Sequence, residues 1–198
     1  MLPLYPKRDG EDVAYCVLRP ERLSDHEVRM HITDWAVTNK GALYSLMGFL
    51  YKLAAQAETF RIGIPDDFEL SALIDEPYDI RFARNPRVMA RVLDVPGALR
   101  LMRHPAGAGT YTLRVRDDFL PENDGDYRVA YGPGGVTVEK GTQGAPDMIL
   151  TVQTFAQLCL GYLAFDMAAL KRDVTVAGNE DTLRTIFVKK PKYHTDRY

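Results

Sequence analysis

The side chains best suited to hold a metal or move a proton near neutral pH are four histidines, His26, His31, His104 and His194. None stands at a metal-ligand spacing, and no cysteine pair lies near any of them, so no metal site is expected. The sequence contains no G-x-S-x-G nucleophile elbow, no Walker phosphate loop and no dinucleotide fingerprint. The acidic run from Asp117-Asp118 to Asp124-Gly-Asp126 resembles a calcium loop in composition only. It lacks the alternating carboxylates before the glycine and the later glutamate, and Asn123-Asp-Gly125 reads as a hairpin turn. Lys189-Lys-Pro-Lys192 reads as a solvated tail, not a phosphate site. Trp35, Tyr44 and Tyr51 could line a substrate cleft, although aromatics beside a helix also suit core packing. Phe155, Tyr162 and Phe165 are open to the same two readings, a lipid tunnel or an ordinary core.

A chain of 198 residues can bury one large core or two small ones. At 46% hydrophobic and 26% charged residues it is composed like a globular protein, which excludes global disorder. Its 25 basic and 27 acidic residues are scattered, so charge gives no reason to expect nucleic acid or an anionic membrane as partner. The longest apolar run, Ala42 to Leu50, is broken by Tyr, Ser and Gly and falls short of a membrane span. No signal segment opens the chain. Cys16 and Cys159 lie inside separate apolar runs and read as small buried hydrophobes, which fits a reducing cytoplasm. The start, Met1 to Lys7, leads almost at once into strand-forming sequence, as in a piece of a longer protein.

The elements expected to position these residues fall into two halves. Val13 to Leu18 and Val28 to Val37 are β-branched and apolar, with a turn expected over Pro20 to Asp25. Leu43, Leu46, Met47, Leu50, Leu53, Ala54 and Ala57 recur at helical spacing, so Gly41 to Ala57 should be a helix. Phe60 to Pro65 follows as a short strand, giving a β–α–β unit with parallel pairing, and Asp66 or Asp67 should cap a short helix through Ile74. The linker of Asp75 to Asp79 and Arg84 to Pro86 places the boundary near residue 85, with domains over 1–85 and 86–198.

The second half should open with a strand, Val88 to Leu93, and a helix capped by Asp94 with Pro96 in its first turn. Tyr111 to Arg116, Tyr127 to Tyr131, Val136 to Glu139 and Met148 to Val152 read as strands, with Gly132 to Gly135 turning the chain. Thr154 to Gln157 has a capping-box pattern at the start of a helix carrying Phe155, Leu158, Cys159 and Tyr162. Val174 to Val176 should be an edge strand, and Asn179 the cap of a last helix whose Glu180 and Asp181 suit its dipole. The fold class is α+β.

The run Ile32 to Val37, followed by Thr38-Asn-Lys-Gly-Ala-Leu43, resembles the strand, loop and helix of a GNAT N-acetyltransferase. In that family the loop reads Arg/Gln-x-x-Gly-x-Gly/Ala, and backbone N–H groups with the helix dipole hold the pyrophosphate of acetyl-CoA. Only Gly41 fits; Thr38 and Leu43 replace the residues that admit the phosphate. The second half resembles a sterol-carrier-protein-type domain in Thr112 to Asp117, Gly125 to Val129, Ala145 to Leu150, Phe155 to Gly161 and Val174 to Gly178.

The two resemblances in this order are similar to the enhanced intracellular survival (Eis) aminoglycoside and lysine N-acetyltransferases. The likeness implies a partial, degenerate second GNAT domain followed by the sterol-carrier-type domain. A missing N-terminal catalytic GNAT domain would then bind acetyl-CoA, a primary amine would be the acceptor, and the protein would be a homo-oligomer. It also implies that a C-terminal carboxylate, here that of Tyr198, enters the active site as general base, while the tyrosine acid lies outside this chain. This chain alone should be inactive. Two rivals remain, a lipid-binding module and a structural oligomerisation domain.

Overall fold

The computed structural model describes all residues except 1, 5–6, 9–10, 66–67, 75–76, 84–88, 142–143 and 192–198. The expected caps Asp66 and Asp67, most of the proposed linker, His194, Lys192 and Tyr198 therefore lie outside the described residues. The chain forms two compact units that part between Leu73 and Ile74. Together they give the expected α+β class.

The first unit contains β1 (Leu2–Leu4), β2 (Lys7–Arg8), β3 (Glu11–Asp12), β4 (Ala14–Arg22), β5 (Val28–Val37), α1 (Lys40–Lys52) and β6 (Thr59–Ile62). Its main sheet has the order β1-β4-β5-β6, while β2 and β3 form a ribbon of their own. β5 and β6 pair in parallel, from Arg29 opposite Thr59 to Ile32 opposite Ile62, with α1 as the crossover. The expected β–α–β unit is present. Alternation along the strands sends Cys16, Leu18, Met30 and Ile32 to one face, where Leu46 and Leu50 of α1 cover them. The last part of the expected helix tightens into a 3-10 turn, Leu53–Ala55. A second 3-10 turn, Leu70–Leu73, stands where the short helix was expected.

The turn expected at Pro20 to Asp25 starts later, because β4 runs on through Arg22, with Pro20 opposite Met30. β1 stops pairing at Leu18. Among the described residues β4 has no partner on that side beyond Leu18, where a proline costs no ladder bond.

The second unit contains α2 (Val95–Leu101), β7 (Gly109–Arg116), β8 (Gly125–Gly132), β9 (Gly135–Lys140), β10 (Met148–Thr151), α3 (Val152–Cys159), α4 (Phe165–Ala169), β11 (Thr175–Val176) and α5 (Glu180–Ile186). The sheet order is β11-β10-β7-β8-β9. Among the described residues of this sheet only β7 and β10 pair in parallel. One face carries Tyr111, Leu113, Val115, Tyr127, Val129, Met148 and Leu150 into a core closed by Leu99, Phe155, Leu158, Phe165, Leu183 and Phe187. Each such fully buried large apolar side chain contributes about 1.5–3 kcal/mol by leaving water.

Four expectations for this half need correction. Residues 89–93 form no strand, and Met89 and Leu93 are exposed. The segment is held by side chains instead: Asn123 Nδ2 donates to the Val92 carbonyl (3.3 Å) and Arg91 pairs with Asp117 (2.5 Å). Between β7 and β8 the chain makes an eight-residue loop, not a tight turn at Asn123, because the Asn123 side chain is buried inside that loop. α3 is capped by Thr151, whose hydroxyl accepts from the Thr154 N–H at 3.3 Å, so Thr154 lies within the helix and is fully buried. Asn179 precedes α5 with φ of 54° but makes no side-chain cap; its amide donates to the Thr110 carbonyl at 2.7 Å.

Candidate functional site

The strand-to-helix junction between β5 and α1 is the place where a GNAT-like unit would meet a phosphate, and here one of its N–H groups is taken by the chain's own cap. The Thr38 N–H and hydroxyl both donate to the Val13 carbonyl, each at 3.0 Å. Asn39 caps α1: its Oδ1 accepts from the Ala42 N–H (3.0 Å) and its carbonyl from the Leu43 N–H (3.1 Å). The Ala42 N–H that an incoming anion could use thus already has an acceptor.

Just before this junction β5 carries a bulge. Val17 faces Asp34 and Leu18 faces Ile32, so Thr33 is the extra residue. Pairing of β5 with β6 ends at Ile32. Past that end Trp35 reaches across, its indole N–H donating to the Gly63 carbonyl (2.7 Å) and its ring meeting Phe68 edge-on at 5.8 Å. Trp35 is half-buried against the core of the first unit. Tyr44 lies on the outward side of α1, half exposed, with Lys40 Nζ 5.8 Å from its ring centroid. Tyr51 is exposed two turns further along the same side. Among the described residues no ring contact joins Trp35 to Tyr44.

In the second unit an open groove of about 500 Å³ lies beside α2 and the end of α3. Leu93, Ala98, Leu101, Met102 and Leu160 give it an apolar floor, and Arg103 and Lys190 stand at its edge. Lys190 is more than a solvated tail residue: its Nζ donates to the Cys159 carbonyl (3.3 Å) and its N–H to the Gly161 carbonyl (3.0 Å). Phe155 and Phe165 belong to the core, whereas Tyr162 lies past the end of α3, half exposed.

Three polar clusters escape a reading based on motif spacing. His104 contacts the Tyr111 hydroxyl (3.0 Å) and the Met102 carbonyl (3.0 Å), and stacks on Tyr131 with centroids 5.0 Å apart. Burial pushes His104 below its ordinary imidazole value despite the Met102 carbonyl. Next to the cap of α3, Asp173 accepts from the hydroxyls of Thr151 (2.7 Å) and Thr154 (2.6 Å), while Lys171 Nζ donates to Thr154 Oγ1 (2.5 Å). Burial raises the Asp173 carboxyl, but the hydroxyls of Thr154 and Thr151 with the Lys171 ammonium hold it below the usual carboxylate value. Thr154 is wholly buried, so this triad of acid, hydroxyl and ammonium locks α3 to the segment after α4 and offers no nucleophile to solvent.

The third cluster is the acidic run. Asp117 accepts from the N–H groups of Phe119 and Leu120 (3.0 Å each) and from Asn123 Nδ2 (3.2 Å). Asp124 accepts from the Asp117 N–H at 3.1 Å. Carboxylates engaged by backbone amides hold this loop in shape. Among the described residues no group of three His, Cys, Asp or Glu is placed to hold a metal. Both cysteines are free, and burial pushes both thiols up. Among the described residues no helix is long and apolar enough to cross a membrane.

Family comparison divides the chain along the same two patterns. Residues 3–92 match the acetyltransferase (GNAT) domain, and residues 95–195 match the sterol carrier protein domain. No curated protein matches the sequence. Similar solved structures include a probable N-acyltransferase of unknown function from Enterococcus faecalis, with TM-score 0.72 and 20% identity over 92% of this chain and 45% of that one. A GCN5-related N-acetyltransferase from Anabaena variabilis matches with TM-score 0.69 and 20% identity over 95% of this chain and 48% of that one. Eis1 from Mycobacterium abscessus matches with TM-score 0.72 and 20% identity, over 93% and 48%. The chain thus spans about half the length of the solved structures it matches. With the sterol-carrier match covering more than half of its residues behind a GNAT-type sheet, the chain belongs to the sterol carrier protein domain family, with an acetyltransferase (GNAT) domain in front.

Proposed function

We propose that this chain is the C-terminal, substrate-shaping and assembly portion of an acetyl-CoA-dependent N-acetyltransferase acting on primary amines of the aminoglycoside or lysine type. The observation that carries this reading is the order of a GNAT-type sheet and a sterol-carrier domain in a chain half as long as the N-acyltransferase structures it resembles. The departures at Thr38 and Leu43, with Asn39 capping the Ala42 N–H, support assigning acetyl-CoA to a catalytic GNAT domain outside this chain. In the reaction an acceptor amine attacks the thioester carbonyl, the tetrahedral intermediate collapses, and the coenzyme leaves as its thiol. The terminal carboxylate of Tyr198 takes the proton from the amine as general base, and Trp35 and Tyr44 contribute to the acceptor side. The protein works as a homo-oligomer in the cytoplasm. Calorimetric titration of this chain with acetyl-CoA tests the reading: no heat is expected, and stoichiometric binding would overturn it. Removing Tyr198 from the full-length enzyme should lower turnover; unchanged turnover would leave an assembly role alone.

The apolar groove beside Leu101 and Leu160 favours a second reading, a module that holds an acyl chain without catalysis. Native mass spectrometry decides: a stoichiometric co-purified lipid supports the module, and a bare chain supports the acetyltransferase portion.

A further inference from the structure

The end of α3 is closed by two devices, one local and one brought from far along the chain. Locally, Gly161 takes a φ of 70°; its N–H donates to the Leu158 carbonyl (2.9 Å), and the Tyr162 N–H donates to the Gln157 carbonyl (2.7 Å). This is the Schellman arrangement, which satisfies two of the last carbonyls of a helix. The carbonyls of Cys159 and Gly161 are then met by one residue from beyond α5. Lys190 Nζ donates to Cys159 at 3.3 Å and the Lys190 N–H donates to Gly161 at 3.0 Å. The ammonium stands at the negative end of the α3 dipole. A Cβ at Gly161 would lie 2.6 Å from Lys190 Cβ and Cγ, so the bare glycine is the seat on which the lysine stem rests.

This seat decides where the last stretch of chain is rooted. Phe187 is fully buried and its carbonyl accepts from the Phe165 N–H at 2.8 Å. Val188 and Lys189 are exposed, and among the described residues Lys190 is the last to make a hydrogen bond. Eight residues follow it in the sequence, ending at Tyr198, and eight residues span at most about 28 Å.

We infer that Lys190, seated on Gly161, is a positioning residue for the carboxylate of Tyr198. The inference rests on the reading of that carboxylate as the general base. Without the seat the tail would be rooted at Phe187 and would be eleven residues long. The effective concentration of a tethered group falls roughly as the −3/2 power of tether length, so lengthening alone lowers it by less than about twofold. Direction matters more. A root fixed at the end of α3 sets where the tail starts and which way it leaves, and a base misplaced by about 1 Å loses far more than a base on a longer tether.

The test is turnover of the full-length enzyme carrying Lys190→Ala, Lys190→Arg or Gly161→Ala, each with and without Tyr198. Lys190→Ala and Gly161→Ala should lower kcat at least threefold with KM for acetyl-CoA unchanged, and Lys190→Arg, which keeps the cation, should restore most of it. In the enzyme lacking Tyr198 the same substitutions should change nothing further, because the group they position is gone. Gly161→Ala also strains the backbone, so Lys190→Ala carries the result if the glycine variant melts early. A loss that persists equally in both backgrounds would make Lys190 a structural residue only and overturn the inference. If removing Tyr198 abolishes turnover while Lys190→Ala loses less than threefold, the positioning role alone fails. If removing Tyr198 leaves turnover unchanged, the general-base reading fails and takes the inference with it.

Discussion

The imidazole of His104 accepts the hydroxyl hydrogen of Tyr111 across 3.0 Å, and its tautomer follows from the other side of the ring. The Met102 carbonyl, 3.0 Å from Nδ1, can only accept, so Nδ1 carries the hydrogen and Nε2 offers its lone pair to Tyr111. Tyr111 is among the best buried side chains of the chain, and burial, with lesser contributions from Cys159 and Tyr131, pushes its phenol far above the ordinary value. It therefore stays a donor, and a neutral His104 is the acceptor that satisfies it. Protonation of His104 would set two donors against each other at the edge of the core.

That arrangement gives stability a pH dependence of known sign. Folding places the His104 value below the unfolded one of about 6.5. Between the two, the unfolded chain binds the additional proton, so stability rises with pH and is lost as pH falls from about 6.5 through the folded value. Thermal melts of the parent from about pH 7.5 to about pH 5 should show this decline. In His104→Gln the slope over that window should flatten. Parallel curves for the two proteins would remove His104 as the cause.

Asn123 should be costly to truncate. Its side chain accepts from the Val95 N–H (3.1 Å) and donates to the Val92 carbonyl (3.3 Å) and to Asp117 (3.2 Å), joining the α2 entry to the β7–β8 loop. Alanine would leave buried partners unsatisfied, at about 2–3 kcal/mol. Urea unfolding of Asn123→Ala should show a lower midpoint with the same slope.

The two sheets and the parallel crossover were legible because alternation and helical spacing are local signals. Val28 to Val37 is a strand at the residues the pattern gives, and Leu46 and Leu50 face the core as their spacing requires. The failures sit where tertiary partners decide. Nothing in the sequence of residues 89–93 tells that Asn123 and Asp117, some thirty residues later, would hold the segment by side chains and spare it a ladder. The capping-box spacing points to Thr154, but the cap comes from Thr151, while Lys171, seventeen residues on, donates to the Thr154 hydroxyl. The candidate site was legible in one respect, the altered loop at Thr38 to Leu43. The Trp35 bridge to Gly63 was not, because it depends on where β6 ends.

The cap of α1 offers a cleaner energetic test than its packing does. Asn39 is exposed; its Oδ1 accepts from the Ala42 N–H and its Nδ2 donates to Thr38 Oγ1 at 3.1 Å, so Asn39→Ala removes the cap and one exposed side-chain bond. The expected loss is about 1 kcal/mol, and Asn39→Gly should lose only a few tenths, because glycine is itself a tolerated cap. Equal losses for the two variants, read from chemical denaturation, would mean that Asn39 contributes through something other than the cap.

The groove of the second unit separates two kinds of leucine on one short helix. Leu99 is fully buried against the core, whereas Leu101 is 88% exposed and lines the groove with Leu93, itself 70% exposed. Leu99→Ala deletes buried apolar surface and leaves a cavity, at about 2–5 kcal/mol. Leu93→Ser and Leu101→Ser remove apolar surface that folding never buried, so each should stay within about 0.5 kcal/mol of the parent. If the groove is an apolar binding surface, the same two serine variants should lower the fluorescence of a bound hydrophobic dye while the melting temperature holds. Dye fluorescence that stays constant would place the binding elsewhere, and a large loss of stability would show that these leucines are covered in the native protein.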